Sequence, residues 1–88
     1  MENGEKNVTK EDINKSLILI MIGLQKRLKQ HGHAPLASIH EILGIMDEEH
    51  YELLMAVHQN DNDQVVEELV DIAVGALFGI ASLKQKQK

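Results

Sequence analysis

The sequence predicts an all-α fold, a three-helix chain that completes a helical bundle by oligomerisation, and three observations carry that expectation. Apolar residues recur at helical spacing in three stretches, and no stretch alternates with the two-residue period of a strand. Hydrophobic residues make up 43% of the 88 positions while aromatic residues make up only 2%, which suits a helical core of Leu, Ile, Val, Met and Ala. A single domain of this length buries a limited core, so pairing with further copies is a natural way to add buried surface.

The elements follow in order. Residues 1–8 have no period and are expected to form a disordered N-terminal segment; 9–83 should form one all-α domain, and 84–88 a solvated tail. Thr9 followed by Asp12 resembles a capping box and makes Thr9 the expected N-cap of the first helix. Ile13, Leu17, Met21, Leu24 and Leu28 give that helix its stripe, which Ile18, Ile20 and Ile22 widen almost all the way round. A helix apolar on most sides is buried by several neighbours, some of them expected from another subunit. Lys26, Arg27 and Lys29 suit the C-terminal end of the dipole, and Gly32 then Pro35 stop the helix, leaving 31–36 as a loop.

A second helix is expected from Ala37 or Ser38, with Ile39, Ile42, Leu43, Met46, Leu53, Leu54 and Val57 on its core side. Asn60-Asp61-Asn62-Asp63 breaks it, because these side chains compete for backbone hydrogen bonds. The third helix is expected over 64–83, capped by Asn62 or Asp63.

Net charge is −5, so no basic stripe is available to displace counterions from a nucleic-acid polymer, although a cation could still bridge the chain to a free nucleotide. The absence of cysteine excludes disulfides and thiolate zinc sites. The apolar run 17–24 is far shorter than the roughly 20 residues that span a bilayer, and the polar start lacks a secretory core. The expected location is the cytoplasm, away from membranes.

Two acidic runs interrupt the apolar stripes: Glu48-Glu49-His50-Tyr51-Glu52 and Glu67-Glu68-Leu69-Val70-Asp71. Residues three apart share a helix face, so Glu49 pairs with Glu52 and Glu68 with Asp71. On the second helix the pair lies in a stripe with Ile42, Ile45 and Ala56; on the third it lies between Gln64 and Gly75-Phe78. Carboxylates buried together raise one another's pKa, a conflict that a divalent cation resolves. All-oxygen ligation suits Mg²⁺, with Mn²⁺ as the alternative, and Mg²⁺ commonly joins carboxylates to substrate phosphates. A missing side chain at Gly75 would let a helix or ligand approach. Glu41, Glu48 and Glu67 read more simply as solvated or salt-bridging acids.

Glu48-Glu49-His50-Tyr51-Glu52, followed by Glu68-Leu69-Val70-Asp71, resembles the EExxE and ExxD signature of MazG-like nucleotide pyrophosphohydrolases over roughly residues 38–83. The resemblance implies an all-α assembly of at least two chains, a homodimer or homotetramer. It also implies Mg²⁺-dependent hydrolysis of a nucleoside triphosphate to the monophosphate and pyrophosphate. On matching positions Glu49, Glu52, Glu68 and Asp71 would be the metal ligands, and Glu48 or Glu49 the acceptor of the attacking water's proton. The chain ends at Lys88, so the fourth helix and downstream basic residues of many relatives are expected to be missing, and either a partner subunit would supply those contacts or the substrate would be held weakly. There is no Trp to stack a base.

Lys26 and Lys29 are candidate phosphate ligands, His33 could touch phosphate and Gln25 a base, although a helix that simply ends in cations reads the same way. His50 and His58 lie too far apart for a helical zinc pair, His40 reads as solvated, and no Glu-x-x-His supports a di-iron bundle. Phosphoribosyl-ATP pyrophosphohydrolase is a related reading, disfavoured because Tyr-His does not follow the ExxD acid. From another class, the chain could be a non-catalytic helical interaction protein that keeps the metal pairs for stability.

Overall fold

Thr9 opens the first helix with a reciprocal cap: its hydroxyl accepts from Asp12 N at 3.0 Å, and the Asp12 carboxylate accepts from Thr9 N at 2.9 Å. Helix α1, Lys10–His31, ends at Gly32, whose φ of 78° is open to glycine and strained for other residues. Helix α2, Ile39–His58, is capped by the Ser38 hydroxyl, which accepts from Glu41 N at 3.2 Å. Helix α3 is Asn62–Lys86. Its cap is Asp61, which accepts from Gln64 N at 3.1 Å, and not Asn62 or Asp63. The chain turns one residue earlier, at Asn60 with φ 54°, which leaves the Asp61 carboxylate over the first turn.

The computed structural model describes residues 6–87; the expectation for 1–5 lies outside them. Residues 6–9 are exposed and have no regular secondary structure. Among the described residues there are three helices and no strand, and no helix is long and apolar enough to cross a membrane.

Helix α3 is the centre. It packs against both α1 and α2, which do not pack on each other. Ile42 lies against Gly79, and Ile45 and Met46 against Gly75, so α2 runs antiparallel to α3. Gly23 lies against Val70 and Val74, and Arg27 over Phe78, so α1 runs parallel to it. A Cβ at Gly23 would sit 2.9 Å from Val70 Cγ1; the missing side chain is what lets α1 approach α3. The buried core, Leu36, Ala56, Val74 and Phe78, follows α3.

Helix α3 continues three residues past the expected end at Leu83, and the supposed tail has work to do. Lys86 Nζ donates to Leu36 O at 2.8 Å and Ala37 O at 2.7 Å, while buried Ser82 Oγ accepts from Leu36 N at 2.9 Å. These bonds tie the α1–α2 loop to the end of α3.

Parts of two expected apolar stripes are not covered within this chain, although Ile42 and Met46 of the α2 stripe do pack on α3. On α1, Ile13, Leu17 and Met21 are exposed, because the helix turns Gly23 and Arg27 towards α3 and its Leu/Ile stripe away. On α2, Ile39, Leu43, Leu54 and Val57 are exposed. The face that packs on α3 is the one bearing Ile42, Ile45, Glu49 and Ala56.

Candidate metal centre

The acidic stripes of α2 and α3 face each other because the small residues flanking them let the helices close. Ala56 on one side and Gly75 and Gly79 on the other are buried. Between them Glu49, Glu68 and Asp71 each bring a carboxylate oxygen within 4.8 Å of the other two. Glu68 is the deepest, 8% exposed. Its Oε2 accepts from Gln64 Nε2 at 2.7 Å, while its Oε1 is buried with no hydrogen-bond partner.

The electrostatics are those of acids crowded together with little compensation. Glu49 is pushed up from the usual 4.5 to about 7, first by burial, then by a hydrogen bond to Glu52 and by the charges of Asp71, Glu52 and Glu68. Asp71 is also raised, by burial and by Glu52 and Glu67, with Lys26 opposing. Glu52 is exposed and stands outside the three-residue group, yet close enough to share a proton with Glu49.

A buried, unpartnered carboxylate oxygen beside two further carboxylates is a donor set that fits a hard divalent cation. Removing such an oxygen from water without a partner is unfavourable by roughly 1–3 kcal/mol or more, a penalty that coordination of a cation would offset. Glu49, Glu68 and Asp71 could hold the ion directly, and Glu52 from the rim.

The carboxylates Glu49 and Asp71 open into a cleft of about 980 Å³ between α1, the α1–α2 loop, α2 and α3. Glu48 lines it too, and Lys26, Arg27 and His31 bring cations or titratable groups from α1. Gln25, Lys29 and His33 do not line this cleft. They gather instead with Lys26 around an adjoining groove of about 510 Å³, so Lys26 belongs to both. His50, His58 and His40 line neither.

Sequence reasoning missed Arg27 as a cleft residue. Its guanidinium lies 3.8 Å from the centroid of the Phe78 ring, fixed there by stacking and the ring quadrupole. The signal was Gly23 one turn earlier, which marks the side of α1 that meets α3.

The fold and site define an all-α chain whose facing carboxylates lie beside a cleft lined by cations from α1. The sequence model of the MazG nucleotide pyrophosphohydrolase domain matches residues 37–88, and the chain belongs to that family. No curated protein and no solved structure gives a match.

Proposed function

We propose that this chain, working as an assembly of two or more copies, hydrolyses the α–β phosphoanhydride of a nucleoside triphosphate with Mg²⁺ or Mn²⁺ held by Glu49, Glu52, Glu68 and Asp71. The observation that carries this reading is the convergence of Glu49, Glu68 and Asp71 within 4.8 Å, one oxygen buried and unpartnered, in a chain of this family. When bound, the cation supplies charge to the phosphates and makes a coordinated water more acidic.

The chain's own groups do the rest. Lys26, placed between cleft and groove, binds the triphosphate, and Arg27, fixed on Phe78, adds a second cation inside the cleft. Gln25, Lys29 and His33 extend the contact along the groove. The water oxygen attacks the α-phosphorus in line, and the bond to the β-phosphate's bridging oxygen breaks with its electron pair leaving on pyrophosphate. Glu48 or Glu49 takes the water's proton.

The test is pyrophosphate release from a panel of nucleoside triphosphates with Mg²⁺ or Mn²⁺, comparing the parent with Asp71→Asn and Lys26→Ala. The expected outcome is metal-dependent release that Asp71→Asn abolishes. Lys26→Ala should lower kcat/KM about tenfold to a hundredfold, the loss of a charged hydrogen bond of roughly 1.5–3 kcal/mol. A folded, metal-binding chain that cleaves none of the panel would favour the non-catalytic interaction protein.

A further inference from the structure

Among the described residues, no Phe, Tyr or Trp lines the cleft beside the carboxylates. The chain has one Tyr and one Phe: Tyr51 is exposed and borders neither cleft nor groove, and Phe78 is buried, 7% exposed. What borders the cleft in place of the ring is Arg27, half-buried and lying over Phe78. Its Cζ is 3.8 Å from the ring centroid, the separation of stacked planes, since an edge-on guanidinium at that distance would drive a nitrogen into the ring. A planar group stacked on one face has a second face to offer. The ring beneath does not reach the cleft and the guanidinium does, so that second face belongs to the cleft.

Position along α3 says what the face can hold. Asp71, Val74 and Phe78 follow one another at steps of three and four residues, so they share one side of α3 and the outer two stand two turns apart, about 10.5 Å. Lys26 acts on Asp71 through its charge and marks the end where phosphates and cation would lie. Val74 and Gly75 line the cleft between the two ends. At the far end Pro35 and Leu36 form an apolar wall, held there by the bond from Leu36 N to Ser82 Oγ, one turn beyond Phe78. The cleft is therefore acidic and cationic at one end, and apolar with one flat, weakly hydrated cation at the other. A nucleotide has the same two ends, and guanidinium planes stack on bases.

We infer that Arg27, backed by Phe78, is the platform on which a nucleobase stacks in this cleft, in the place an aromatic side chain would otherwise take. The inference rests on the nucleotide-binding part of the proposed function and not on cleavage. Stacking accepts any planar base, because every base has a π-face.

The test uses ligands that have no α–β bond to cleave: the nucleoside 5′-monophosphates of the common bases and ribose 5-phosphate, which carries the same phosphate and no base. Calorimetric titration with Mg²⁺ present compares the parent with Arg27→Lys, which keeps the charge and loses the plane. The parent should bind the monophosphates about tenfold more tightly than ribose 5-phosphate. Arg27→Lys, with its helicity checked by circular dichroism, should lose most of that preference and hold ribose 5-phosphate within about twofold of the parent. Equal weakening of both kinds of ligand would overturn the platform and make Arg27 a phosphate ligand. A parent with no preference for the ligands that carry a base would overturn it without any variant. Preference for a base in a chain that releases no pyrophosphate from triphosphates would support the platform while refuting the hydrolase, and release without that preference would do the reverse.

Discussion

Glu49 carries the clearest pH signature at the scale of single residues. Its pKa is raised from 4.5 to about 7, so the metal-free folded state holds a proton that the unfolded chain releases. Stability from this group is fully present below pH 4.5 and is lost as pH rises through 7. Without metal, the unfolding midpoint in urea should therefore fall between pH 5 and about 7.5, and saturating Mg²⁺ should flatten that fall by favouring the ionised form. A midpoint with the same pH slope in parent and Glu49→Gln would contradict the assignment. The acids themselves were legible in the sequence, since Glu49, Glu68 and Asp71 stood out as charges within apolar stripes. Arg27 was not, because a cation near a helix end looks the same whether it faces solvent or a Phe ring.

At the scale of elements, the cap at Thr9 was readable because Thr9 and Asp12 stand three residues apart and bond reciprocally. The ties of Ser82 and Lys86 to the α1–α2 loop were not readable, since they join residues 46 to 50 apart. Which stripe of α1 and α2 meets α3 was likewise hidden. The strongest apolar stripe of α1 points away, and the contact is set by an absence of side chain at Gly23. Gly23→Ala should therefore destabilise the fold by about 1–3 kcal/mol, because its Cβ would press on Val70 and Val74, β-branched side chains with little freedom to move. Gly44→Ala, with nothing within 4 Å, should instead stabilise by about 0.5–1 kcal/mol through helix propensity. Chemical denaturation of the two variants checks both; equal effects would mean that α1 does not sit on α3 at Gly23.

For the molecule as a whole, one chain is an open scaffold. Its radius of gyration, 15.3 Å, exceeds the about 12 Å of a compact domain of this length. Many large apolar side chains remain exposed on all three helices, which is more than a monomer in water tolerates comfortably. The sequence signalled this through α1, apolar on most sides. The meeting of Glu49 with Glu68 and Asp71 followed from their matching stripes, and it places this carboxylate cluster within the α2–α3 hairpin. The cleft beside it gathers its cations from α1, so acids and cations face one another only when all three helices are in place.

The measurement closest to the central claim is the stability gained from Mn²⁺ by the parent, Asp71→Asn and Glu68→Gln, read by urea unfolding at pH 8. Binding to the native state alone predicts a gain of about 2.7 kcal/mol for the parent at a hundredfold excess over Kd. The two variants should remain helical and gain little. Equal gains in all three chains would show that Glu68 and Asp71 do not hold the ion, and the metal centre would have to be sought elsewhere.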